Sequence, residues 1–155
     1  MPRNMPRNMT HRNLPSREQA QEALLRGDWP AAWDYWTHLW ETGGPALEWL
    51  EAMEAAALPH AAAGSLAAQQ TLGSTSSVRY TCGFPSEVAR LRRSLMWIVA
   101  ALRQELSATG LQMLVEGYRS LRAQGVRDTG IEAFLSEPTP RAAWQTWAGV
   151  DPLSE

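Results

Sequence analysis

Trp29, Trp33, Trp36 and Trp40 recur at i, i+4, i+7 and i+11. On a helix of 3.6 residues per turn, that spacing gathers all four indoles within roughly 60° of one another. An indole buries on the order of 150–250 Å², so the ridge covers about 600–1,000 Å². The largest apolar patch on an ordinary soluble monomer is roughly 300–600 Å². The ridge therefore needs cover, either from the rest of the chain or from another molecule. The flanking residues mark out its helix. Asp28 is placed to cap it, Pro30 falls in the first turn where a missing N–H costs little, and Gly43-Gly44-Pro45 breaks the chain. A helix over about 29–42 is predicted, with Asp34, His38 and Glu41 on the solvated face opposite the ridge.

Upstream, Ser16-Arg17-Glu18-Gln19 forms a capping box, and the apolar residues Ala20, Ala23 and Leu24 run to a stop at Gly27. This predicts a short helix over 17–26. The segment from Ala20 to Pro45 carries a Gly27-Asp28-Trp29 turn, a small Ala32, a large aromatic at Trp36, an apolar Leu39 and a closing Pro45. With its capping box it resembles one tetratricopeptide-type helical hairpin over about residues 17–45. In that family two antiparallel helices pack through small and aromatic residues, and repeats stack to cradle peptides. Here the first helix lacks the usual large residues, and no second copy follows at the roughly 34-residue period of a repeat array. The resemblance implies a hairpin and no peptide groove. Within it, Trp36 and Leu39 belong to the hairpin core. Trp33 and Trp40 fall on the other side of the seam, under the next helix or under another molecule.

That next helix is expected over 45–58, ended or kinked by Pro59, and the Ala-rich residues 60–72 should also be helical with Gly64 a weak point. The Gly73-Ser74-Thr75-Ser76-Ser77 tract reads as a flexible loop and candidate subdomain boundary. Val78 to Cys82 reads as a short extended segment with no second strand to pair with. The longest helix is predicted over about 86–107, where Val88, Leu91, Leu95, Ile98, Val99, Leu102 and Leu106 form one stripe. Gly110 separates a helix over 111–124. A second capping box at Thr129-Gly130-Ile131-Glu132 opens a short helix through Leu135, and Thr139-Pro140 opens the last, with Trp144 and Trp147 one turn apart. The opening Met1-Pro2-Arg3-Asn4 repeats as Met5-Pro6-Arg7-Asn8, so residues 1–15 read as an extended arm. The fold expected is all-α, of six or seven helices. An N-terminal hairpin packs on a small bundle around the long central helix, and residues 16–155 form a single domain.

The function classes narrow by exclusion. The formal net charge of −2 drives neither nucleic-acid nor membrane binding, although all 14 basic residues are arginine. The lone Cys82 excludes an intramolecular disulfide and fits a reducing, cytoplasmic setting, while no apolar run is long enough to span a membrane and no secretory h-region is present. His11, His38 and His60 are isolated, and no nucleophile elbow, phosphate-binding glycine loop or metal-ligand spacing occurs. No catalytic residue, cofactor or metal is therefore assigned. What remains is surface chemistry: Trp97 shares a helix face with Arg90, Arg93 and Gln104, opposite the apolar stripe. The sequence favours a non-enzymatic protein-interaction module, an accessory subunit, adaptor or inhibitor of a larger protein. Its partner-binding candidates are Trp33, Trp40, Arg90, Arg93, Trp97, Trp144 and Trp147. The alternative is a small helical nucleic-acid-associated subunit using Arg90, Arg92, Arg93 and Trp97. A helix-turn-helix outline around Thr129–Leu135 argues for no groove insertion, because Glu132 and Glu137 stand where base-reading residues would be needed.

Overall fold

The structure, a computed structural model, describes residues 15–154. All but the last residue of the expected N-terminal arm lie outside them. Among the described residues there are eight helices and no strand: α1 (Arg17–Arg26), α2 (Trp29–Thr42), α3 (Ala46–Ala62), α4 (Leu66–Cys82), α5 (Val88–Gln104), α6 (Ala108–Ala123), α7 (Thr129–Ser136) and α8 (Pro138–Ala148). The chain is all-α as expected, with more helices than the six or seven anticipated. It divides into two compact units, Met1–Pro59 and His60–Glu155, with the division falling inside α3. No helix is long and apolar enough to cross a membrane among the described residues.

In the first unit the local signals operate as read. Ser16 Oγ accepts from Gln19 N at 3.2 Å and Ser16 N donates back to Gln19 Oε1 at 3.0 Å, so the capping box is complete. Gly27 closes α1 with φ +78°, a left-handed geometry that an L side chain would strain, and Asp28 Oδ1 accepts from Ala31 N at 3.2 Å to open α2. Ala20, Ala23 and Leu24 of α1, and Ala32, Trp36 and Leu39 of α2, are buried, and the two helices pack together. Pro59 neither ends nor bounds α3, which runs on to Ala62. The alanines on both sides, the best helix formers, carry it past the missing hydrogen bond. The break comes at Gly64, with φ +99°, and Ser65 caps α4 by accepting from Ala68 N.

The largest departure from expectation lies in α4. Residues 73–77, expected to be a loop and subdomain boundary, and 78–82, expected to be extended, form the interior and end of one helix. Serine and threonine side chains usually compete with a helix for backbone partners. Here Thr75 Oγ1 donates to Leu72 O at 2.8 Å and Ser76 Oγ to Gly73 O at 3.3 Å, so both hydroxyls are satisfied inside the helix they were expected to break. Their small size is also what α5 requires, since α5 packs along α4 with little room between them.

Within the second unit α5 is central, touching α4, α6 and α7. It spans Val88–Gln104, shorter than the predicted 86–107 and equal in length to α3 and α4. Leu95, Ile98, Val99 and Leu102 of α5, Leu114, Tyr118 and Leu121 of α6, and Ile131, Phe134 and Leu135 of α7 form the core. Glycines allow the close approach. A Cβ on Gly73 would overlap Ile98 Cγ1, and one on Gly117 would sit 2.6 Å from Leu95 Cδ2. Replacing Gly73 by alanine gains roughly 1 kcal/mol of helix propensity but forces Ile98 Cγ1, one bond from the branch point, to move. Gly73→Ala is expected to lower stability by about 1–3 kcal/mol in urea unfolding. Gly117→Ala, which meets only the mobile end of a leucine, should cost less.

Candidate functional site

The aromatic ridge of α2 is buried in a graded way. Trp29 and Trp36 are buried, the latter 8 % exposed; Trp33 is half-buried and Trp40 is 46 % exposed. The indoles support one another. Trp36 and Trp40 stack with ring centroids 6.0 Å apart and planes 5° from parallel, while Trp33 meets Trp36 edge-on at 6.0 Å. α3 covers the opposite flank. Trp49 Nε1 donates to the Ala32 carbonyl at 3.0 Å, and the Trp49 ring meets Tyr35 edge-on at 4.8 Å. The sequence had offered α3 as one cover for Trp33 and Trp40. It settles instead against Ala32 and Tyr35, leaving Trp40 at the surface.

Trp33, Trp40, Thr37, Asp34 and Glu41 project within an arc of roughly 120° on α2. All but Trp33 are exposed. Thr37 returns its hydroxyl to Trp33 O at 3.0 Å and so offers little to a partner. α2 itself contains no arginine. Across residues 15–59 two arginines stand against eight carboxylates. Both arginines are engaged, Arg17 with Glu48 at 3.3 Å and Arg26 with Asp28 at 3.5 Å. This charge imbalance was legible in the sequence but hidden inside a whole-chain total of −2.

The candidates from the second unit are scattered rather than assembled. Trp144, proposed for partner binding, is 8 % exposed and belongs to the core, because α8 turns that face onto α6 and α7. Trp147, one turn further on, is 50 % exposed. On α5, Trp97 and Arg90 are half-buried and Arg93 is exposed. The face expected to be polar and open is narrowed by its neighbours: Ser94 and Ala101 are buried, and Gln104 Nε2 donates to Gln69 Oε1 of α4 at 2.8 Å and to Gly64 O at 3.0 Å. Arg92 points elsewhere, its Nε 2.6 Å from Asp128 Oδ2. The Arg90, Arg92, Arg93 and Trp97 cluster is thus divided among different surroundings.

Arg92 leads into a polar network that the sequence did not reveal. Asp128, and not the expected Thr129, caps α7 by accepting from Ile131 N at 2.9 Å. Its own N–H donates to the buried Tyr118 hydroxyl at 2.9 Å, which in turn donates to Glu132. Glu132 also receives Arg127 through two bonds of 2.9 and 3.0 Å, which is why it is not free to close a capping box. Burial pushes the Asp128 carboxyl upward, but the Ile131 N–H and the Arg92 guanidinium outweigh it and hold the group below its ordinary range. Arg127, then Tyr118, lower Glu132 in the same way. Burial, followed by the adjacent Glu132 carboxylate, raises the Tyr118 phenol. The network fastens α5, α6 and α7 together.

A cleft of about 700 Å³ lies along α4, α5 and α6 and is lined by Ser76, Tyr80, Leu91, Ile98, Glu116 and Ser120 among others. No histidine or cysteine lines it. No group of three or more histidine, cysteine or carboxylate side chains is placed to hold a metal among the described residues. Comparison with known proteins finds no matching family model, no matching curated protein and no matching solved structure. The chain's own geometry is what singles out the α2 ledge.

The network has a consequence in acid. Carboxyls held below their ordinary range contribute stability above the unfolded pKa, about 4, and lose it as pH falls through the folded values. The urea midpoint is expected to fall below about pH 4. Tyr118→Phe, which leaves the Asp128 N–H without its acceptor, should cost about 1–3 kcal/mol at neutral pH and weaken the acid dependence of the midpoint.

Proposed function

We propose that the chain is a non-enzymatic interaction module, an accessory subunit, adaptor or inhibitor, that docks a larger protein against the outer face of α2. One observation carries the reading: Trp40 lies nearly half exposed while its inner face is stacked on the buried Trp36. An aromatic anchor already fixed by stacking loses little rotamer freedom on binding, and tryptophan is among the residues that dominate interface energetics. Half-buried Trp33 extends the ledge along the helix. The tetratricopeptide-like pairing of α1 and α2 gives the ledge a rigid two-helix platform. Trp147 is a second exposed anchor, on α8. A cytoplasmic setting, with its reduced thiols, suits the half-buried free Cys82 at the end of α4.

The test is quantitative. The full-length protein should capture a partner from native extract that resists nuclease. Trp40→Ala should weaken that complex by about 30-fold or more, the effect of losing a hot spot of about 2 kcal/mol. Retention of the partner at unchanged affinity by Trp40→Ala, or its release by nuclease, would overturn the proposal.

A further inference from the structure

Three guanidinium groups meet at the C-terminal end of α6. Arg119 and Arg122 lie one turn apart on that helix and share a face. Arg127 joins them because the chain reverses at Gly125, which has φ +80° and donates its N–H to Arg122 O at 2.9 Å. With Ala123 and Gly125 the three arginines line a surface cavity of about 450 Å³, a volume in the range of small-molecule sites. The Leu121 and Arg122 carbonyls at this helix end already accept from the backbone N–H groups of Gln124, Gly125 and Val126, so they do not hold the arginines there. Among the described residues, the carboxylate bonded to the cluster is Glu132, which takes Nε and Nη2 of Arg127. Arg122 donates Nη1 to the Leu153 carbonyl at 3.0 Å and lies 5.5 Å from the centre of the Tyr118 ring, but its Nε is buried with no hydrogen-bond partner. Arg119 is exposed and enters no ion pair among the described residues. Three positive charges thus face one negative, and an orphaned buried guanidinium nitrogen is a sign of an absent ion.

We propose that this cavity binds the phosphate group of a small phosphorylated ligand. The site belongs to the second unit and is independent of the docking face on α2. A phosphate group brings close to two negative charges and three strong acceptor oxygens, which matches the surplus charge of the cluster. Guanidinium forks recognise such oxygens through paired N–H bonds. The tetrahedral arrangement offers oxygens to three guanidinium groups from different directions, whereas a flat carboxylate offers two in one plane. Two of the three arginines are already fixed. Arg122 is held by Leu153 and Tyr118, and Arg127 by Glu132, with Nη1 of Arg127 outside the bonds to that carboxylate. Groups ordered before binding lose little freedom when the ligand arrives. Glu132 opposes the anion only weakly, because Arg127 and the Tyr118 hydroxyl both engage it.

The experiment is calorimetric titration of the full chain with inorganic phosphate and with pyrophosphate, at constant ionic strength. Saturable one-site binding is expected for both, together with a thermal midpoint that rises with ligand concentration. Succinate, a dianion with flat carboxylates, should bind at least about 10-fold more weakly than pyrophosphate. Arg119→Gln should weaken pyrophosphate binding by at least about 10-fold, the scale of one lost charge-assisted contact. Its circular dichroism and unliganded thermal midpoint should match the parent, since the side chain is exposed. Arg103→Gln, at an exposed arginine of α5 that does not line the cavity, should leave the affinity unchanged. No saturable binding at millimolar pyrophosphate, equal affinity for succinate, or indifference to Arg119→Gln would each overturn the proposal. So would Arg119-dependent binding of a single-stranded oligonucleotide with none of pyrophosphate, which would make a nucleic-acid backbone the occupant. A gain of about 10-fold in pyrophosphate affinity on Glu155→Gln would also overturn it, by making the chain's own carboxylate the occupant.

Discussion

The bond from Trp49 Nε1 to the Ala32 carbonyl, with the Tyr35–Trp49 edge contact beside it, decides which flank of α2 is covered. A helix with four tryptophans can be buried from either side, and the two choices have opposite consequences. Had α3 settled over Trp33 and Trp40, the first unit would present Tyr35 and His38 in their place. Ala32 makes the difference. Its methyl group leaves the backbone carbonyl open to the Trp49 indole, and a buried indole N–H without an acceptor would cost about 1–3 kcal/mol. With α3 anchored there, Trp40 stacks on Trp36 and remains 46 % exposed.

The second unit follows a different logic, in which small residues replace bulky ones. Gly73, Thr75 and Ser76 on α4, and Gly117 on α6, bring their helices close to α5. The Tyr118, Asp128, Glu132, Arg127 and Arg92 network then ties the α6–α7 turn to α5. Arg92, which looked like surface chemistry in sequence, and Arg127 are thereby committed to carboxylates. Their role here is to satisfy charges inside the fold. The Tyr118 hydroxyl uses both its capacities there, accepting from the Asp128 N–H and donating to Glu132.

Legibility varied with how local the deciding interaction was. The capping box at Ser16, the Asp28 cap and the glycine stop at Gly27 involve partners within five residues, and each could be read directly from spacing. The α5 stripe was likewise correct in Leu95, Ile98, Val99 and Leu102. The 73–77 tract was misread because its composition signals a loop unless a neighbouring helix demands small side chains there, and that neighbour is more than twenty residues away. Thr129 lost the cap of α7 to Asp128 for a similar reason: Glu132, its reciprocal partner in the box, is held by Tyr118 and Arg127. Trp144 and Trp147 illustrate the same limit, since only the position of α8 on the core separates the buried indole from the exposed one.

By itself the sequence determined the helical class, the α1–α2 hairpin and the aromatic ridge, because helix periodicity and end-capping are set by neighbours along the chain. Only the tertiary structure decided which tryptophans are core and which are surface, that a serine-rich tract is a packed helix, and that Arg92 serves Asp128. Those outcomes depend on which face of each helix meets another, and a side chain's fate at such a seam is fixed by residues far from it in sequence.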